Sequence, residues 1–176
     1  MLIIVDHKIP EEAKTKLSEF GALIEIETSG ITYPAISGHP DIFFTQVDGQ
    51  LIVAPNLPKK YFQTLQNHQI NFNAGEKPVG KKYPESAIYN AVSTDKFLIH
   101  NIEFTDTTTL EFAKEKTIIK VNQGYTRCNL IFLDEQHALT SDHGIKKQLE
   151  KTGVETLFLN PKGIILEGFD HGFFGG

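Results

Sequence analysis

The sequence predicts an α/β fold of about four strand–strand–helix–strand units closed into a ring. Three observations carry that prediction. Apolar runs of strand length alternate with segments of helical periodicity along the 176 residues. The order strand, turn, strand, helix, strand recurs. Finally, an Asp or Asn closes the second strand of each unit, at Asp6, Asn56, Asn101 and Asp142. The spacings are 50, 45 and 41 residues, in the range of propellers and repeat arrays.

The first unit is LIIVDHKIPEEAKTKLSEFGALIEIE. Leu2–Val5 reads as a buried strand, and a helix follows with Ile9, Ala13, Leu17 and Phe20 as its apolar face. Pro10 suits the first helical turn, and Glu11 and Glu12 complement the positive end of the helix dipole. ALIEIE then alternates as a strand does. The second unit, DIFFTQVDGQLIVAPNLPKKYFQTLQNHQINFN, places Asp48-Gly49 between two apolar runs, a hairpin signal. The third, YNAVSTDKFLIHNIEFTDTTTLEFAKEKTIIKV, turns near Thr94–Lys96. The fourth, CNLIFLDEQHALTSDHGIKKQLEKTGVETLFLN, has a helix faced by Ile145 and Leu149 and ended by Gly153. The first unit lacks an opening strand, and GIILEGFDHGFFGG at the C-terminus supplies strand residues with no helix after them. Pairing that segment beside the N-terminal strand closes the ring and removes two open sheet edges. Residues 1–176 are read as one domain.

Composition narrows the function. A net charge of −5 without a basic block argues against nucleic acid as a partner. No stretch approaches a membrane span, and the N-terminal apolar run is too short for a signal peptide. The single cysteine fits a reducing, cytoplasmic compartment. HExxH, paired Cys/His spacings, a P-loop and GxGxxG are all missing, so neither a metal nor a cofactor is expected. Three histidines follow an aspartate directly, at Asp6-His7, Asp142-His143 and Asp170-His171. The first two fall on equivalent strand-to-helix turns, where an aspartate caps the free N–H groups of a helix.

The motifs SGHPDIFF, LIVAPN, FLIHN, VNQGYTRCNLIFLD, ALTSDHGI and GIILEGFDHGFFGG resemble a bacterial family of the pentein fold, an α/β propeller. The resemblance runs over nearly the whole chain. Members of that family continue beyond GFFGG, so the chain is expected to be a shortened one, its ring closed by four units or completed by a partner or second copy through the C-terminal segment. The fold is shared by arginine and agmatine deiminases, dimethylarginine hydrolases and amidinotransferases. The resemblance therefore implies a hydrolase- or deiminase-like enzyme acting on a small guanidino or amidino compound in a central channel. In such enzymes a cysteine attacks the guanidinium carbon, a histidine moves protons and carboxylates clamp the planar cation.

Carried onto this chain, those roles fall on residues at comparable points of different units. Cys128, His39 and His171 are the catalytic candidates; Asp41, Asp170, Asp142 and Arg127 are the substrate-binding ones. Arg127 is the only arginine, a side chain suited to bidentate anion recognition. The resembled enzymes carry their cysteine late in the chain, where DHGFFGG has none. That departure leaves a second reading: a non-catalytic propeller that binds a ligand or a protein.

Overall fold

Four small sheets organise the chain in a computed structural model that describes residues 1–166 and 168–174. Strand β1 (Leu2–Asp6) leads through helix α1 (Glu11–Ser18) to β2 (Ala22–Ile26), parallel to β1. A helical turn, α2 (Pro40–Phe43), then opens β3 (Phe44–Val47), antiparallel to β4 (Gln50–Val53). Helix α3 (Lys59–Asn67) crosses to β5 (Phe72–Ala74), parallel to β4. The third sheet repeats this order with β6 (Val92–Ser93), β7 (Phe97–His100), α4 (Thr107–Phe112) and β8 (Thr117–Lys120). In the fourth, the turn α5 (Thr126–Asn129) precedes β9 (Leu130–Phe132) and β10 (His137–Thr140), and α6 (His143–Glu150) leads to β11 (Glu155–Phe158). The strand–strand–helix–strand unit is thus present three times, and a fourth time without its opening strand.

Local chemistry explains the turns. Asp48 and Gly49 both have positive φ, 49° and 74°, as a tight hairpin of the predicted kind requires. In the third unit the Thr94 hydroxyl accepts from the N–H groups of Lys96 (3.2 Å) and Phe97 (3.1 Å), tying the turn.

The helices interleave with the sheets. Helix α3 buries Tyr61 and Leu65 and reaches back to the first sheet, where the Tyr61 hydroxyl accepts from Glu27 N (2.6 Å) and donates to Glu27 O (2.9 Å). Helix α4 packs on β3 and β4 of the second sheet. Helix α6 buries Ile145 and Leu149 between β8 of the third sheet and its own β10 and β11. Each aliphatic side chain fully buried in this way contributes about 1.5–3 kcal/mol. Helix α1 differs: it packs on β2 and buries no residue fully, and Phe20, expected on its apolar face, is 66% exposed.

Two sequence expectations are corrected. Of the four repeated Asp/Asn side chains only Asp142 caps a helix, accepting from Ile145 N at 2.9 Å. Asp6 accepts from Lys8 N (2.8 Å), Asn56 exchanges two 2.9 Å bonds with Val79, and Asn101 accepts from Glu103 N (3.2 Å). The helices of those units begin further along, at Glu11, Lys59 and Thr107, beyond the reach of these side chains. Second, the expected closing pair between the C-terminal segment and β1 is not formed among the described residues. Gly163 (φ 98°) and Gly168 (φ 85°) turn the segment back on itself, and Gly172 N donates to Ile164 O at 2.7 Å. Its aromatic rings then pack on Tyr33 and Tyr125 instead of extending beside β1.

A buried polar node fastens the middle of the chain. Asp106, fully buried, caps α4 through Thr108 N (3.0 Å) and accepts from Glu76 N and Lys77 N (2.9 Å each) and from the Tyr89 hydroxyl (3.2 Å). Close by in sequence, His100 donates from Nε2 to Gly124 O (2.9 Å), with Nδ1 2.7 Å from the Thr105 hydroxyl.

Candidate functional site

The starts of the three first strands meet. Asp41 stands in the turn α2 before β3, Asn90 just before β6, and Cys128 in the turn α5 before β9. Cys128 Sγ donates to Asp41 Oδ2 at 2.8 Å, and Asn90 Nδ2 lies 3.4 Å from the same sulfur. Asn90 holds both partners: its Nδ2 donates to Asp41 O (3.1 Å), its Oδ1 accepts from Cys128 N (3.2 Å), and its carbonyl accepts from Arg127 N (3.0 Å). The sequence reading missed Asn90. Its signal is an amide residue immediately before an apolar first strand, at a place comparable to Asp41 and Cys128.

A cavity of about 210 Å³ opens over Cys128. His39 and His171 line it together with Tyr33, Tyr125 and Phe169. The structure therefore gathers the three catalytic candidates, drawn from the second unit, the fourth unit and the C-terminal segment, into one hollow. His39 Nε2 lies 3.7 Å from Asp6 Oδ2, and its Nδ1 is buried with no partner among the described residues. His171 donates from Nδ1 to Gly172 O at 2.9 Å and meets Phe173 edge-on, 6.1 Å between centroids. The Tyr125 hydroxyl bonds to Ser86 Oγ (2.6 Å) and lies 3.3 Å from the Tyr33 hydroxyl. Burial raises the Tyr125 phenol above its ordinary range, so it stays neutral.

Burial first, and the adjacent Asp41 carboxylate second, push the Cys128 thiol well above its usual range. At rest the sulfur is protonated and Asp41 accepts its hydrogen. Asp41 Oδ1 is buried with no partner among the described residues, so only half of this carboxylate is used within the fold.

The substrate-binding candidates do not line this cavity. Asp41 and Arg127 line a second, larger hollow of about 560 Å³, so the Asp41–Cys128 contact joins the walls of the two. Asp170 is exposed and lines neither. Asp142 spends one oxygen on the α6 cap and the other on Gln123 Nε2 at 3.2 Å. Among the described residues, no three His, Cys, Asp or Glu side chains group to hold a metal ion, and no helix is long and apolar enough to cross a membrane.

Comparisons with known proteins agree with the architecture. No curated protein matches the chain in sequence. Among solved structures, SxtG, an amidinotransferase from Microseira wollei in the saxitoxin biosynthetic pathway, superposes with a TM-score of 0.52 at 12% identity. The match covers 89% of this chain, which spans 63% of the length of that one. At that identity the likeness is one of fold, and the fold is pentein-like. A sequence profile matches residues 4–176, and the chain belongs to the family it describes, the family of unknown function DUF6873.

Proposed function

We propose that the protein is a guanidino-group-modifying enzyme that takes a small guanidino or amidino compound into the cavity over Cys128. The observation that carries this reading is the 2.8 Å contact between the Cys128 thiol and Asp41, with His39 and His171 lining the same cavity. The units are arranged about a common axis as a propeller, supported by the meeting of Asp41, Asn90 and Cys128 at three first-strand starts and by the fold likeness to an amidinotransferase. Aromatic walls suit a planar cation, and the Asp41 carboxylate stands behind the Cys128 sulfur, at 2.8 Å, in the adjoining hollow.

The chemistry follows from the arrangement. A bound cation favours the thiolate, and the Cys128 proton passes to Asp41 Oδ2. The sulfur adds to the amidine carbon, and an amine leaves with a proton supplied by His39 or His171. Water or a second amine then displaces the sulfur. A reducing compartment keeps the thiol available.

The raised thiol favours a second reading, in which the same cavity binds a cationic ligand without turning it over. One experiment addresses both. Alkylation of Cys128 is followed by mass across pH, alone and with saturating agmatine or L-arginine, and the released amine or ammonia is assayed. Slow alkylation at neutral pH, blocked by the guanidino compound and not by urea, with amine released, is the outcome expected of the enzyme. Blocking without release selects the binding module. A thiol that reacts only after denaturation, whatever is added, overturns both.

A further inference from the structure

Three units meet at one side chain. Asn90, just before β6, is fully buried, and its amide touches both the turn that carries Asp41 and the turn that carries Cys128. The oxygen and nitrogen of that amide are not interchangeable here. The Cys128 N–H can only donate, so the atom 3.2 Å from it is the Asn90 oxygen. The Asp41 carbonyl can only accept, so the atom 3.1 Å from it is the Asn90 nitrogen. Backbone groups of the second and fourth units thus lock the amide in one orientation. The lock turns the other Nδ2–H to Cys128 Sγ, at 3.4 Å.

The sulfur therefore lies between two groups of opposite kind. Asp41 Oδ2, 2.8 Å away, takes the thiol hydrogen, and Asn90 offers one. The other titratable groups around the sulfur are His39 before α2, Tyr125 before α5, and Tyr33 and His171 across the cavity. Arg127 is tied to the Asn90 carbonyl by its backbone N–H and lines the other hollow. When the proton passes to Asp41, the S–H bond breaks, an O–H bond forms on Oδ2, and the negative charge moves from carboxylate to sulfur. A hydrogen bond to an ionised partner is roughly twice as strong as one between neutral groups. The Asn90 N–H thus contributes more once the charge has arrived, and the amide need not move to do so.

We propose that Asn90 is the positioning residue of the thiol: it holds Cys128 against Asp41 and supplies the N–H that receives the sulfur's charge once the proton has passed. The role rests on the reading of Cys128 as the reacting group. The balance at the sulfur has the same direction, since burial and Asp41 push the thiol up while the Asn90 bond pulls it down.

The test needs no substrate. Alkylation of Cys128 by iodoacetamide is followed by mass across pH on the full chain, and the Asn90 side-chain amide is followed by NMR over the same range. In the unaltered protein one Nδ2 proton is expected to move with the same midpoint as alkylation, and Cys128→Ser is expected to hold it still. Asn90→Asp keeps an oxygen for the Cys128 N–H and takes the N–H from the sulfur. It is expected to slow alkylation at neutral pH by roughly tenfold and to move the midpoint upward. A merely structural role has the opposite sign, because a loosened fold exposes the thiol and quickens alkylation at every pH. Alkylation of Asn90→Asp at or above the unaltered rate therefore overturns the proposal. So does an amide that stays still while the thiol titrates, a result that needs no variant to fold and leaves the reading of Cys128 standing. A thiol that reacts only after denaturation removes that reading, and the role of Asn90 with it.

Discussion

Two buried polar nodes lie in this molecule, and they are finished to different degrees. Around Asp106 and His100 every charged or ring atom has its partner: three backbone N–H groups and a phenol on the carboxylate, a hydroxyl and a carbonyl on the imidazole. Around Cys128 the accounting is incomplete, with Asp41 Oδ1 and His39 Nδ1 buried and without a partner among the described residues. Satisfied networks hold backbone in place, whereas buried groups without partners cost stability until something binds them. The first node is therefore structural, and the second is the one at which the proposed ligand would act.

The comparison predicts its own largest effect at Asp106. Asp106→Ala strands Glu76 N, Lys77 N and Thr108 N at once, so it should lower unfolding stability by roughly 3–5 kcal/mol in urea titrations. A loss under 1 kcal/mol would mean that these groups find water instead.

His100 should give the next largest effect, as a pH dependence. Burial holds its imidazole down at about 4, against 6.5 in an unfolded chain. Below pH 6.5 the unfolded state takes up a proton that the folded state refuses. Stability should therefore fall as pH drops from 6.5 to 4, by roughly 3 kcal/mol from this group, and carry no His100 slope above 6.5. Subtracting the pH profile of His100→Gln isolates the contribution. A difference that is flat through that window contradicts the buried neutral state.

Asp41→Asn should have the smallest effect on stability, within about 1 kcal/mol, because the carboxylate it removes is only half used. Its effect should appear in chemistry. The negative charge beside the sulfur is gone, so the thiol titrates lower and alkylation at neutral pH quickens. An unchanged pH profile would remove Asp41 from the account of Cys128.

Much of the frame was legible in the sequence because strand pairing and hairpin chemistry are local. Asp48-Gly49 announced its turn, and the apolar runs announced all three complete units. The turns α2 and α5 were not legible, since four residues are too few for helical periodicity to register. Asp106 before Thr107 is a plain N-cap signal, yet it does not disclose that the same carboxylate reaches Glu76 and Lys77. Cys128 and His39 stand next to first-strand starts as expected, whereas His171 reaches the same cavity on a folded-back segment that forms no strand among the described residues, and Asp170 does not reach it. The role of Asn90 was not foreseen, because an amide that bridges two units is defined only once both are in place. The C-terminal segment misled for a physical reason: Ile164–Leu166 has the composition of a strand, but left-handed glycines on both sides fold it over the cavity, leaving Ile165 94% exposed.

The interleaved helices also bear on how the molecule comes apart. Because α3, α4 and α6 each reach the sheet before their own, no unit owns a complete core. Loosening one unit strips a wall from the preceding one, and the loss propagates along the chain as in a row of coupled elements with strong nearest-neighbour terms. A cut at a unit boundary leaves two raw faces where a linear array of self-sufficient repeats would leave two stable halves. Loops at the hairpin tips can vary freely, while the register between one helix and the sheet before it cannot.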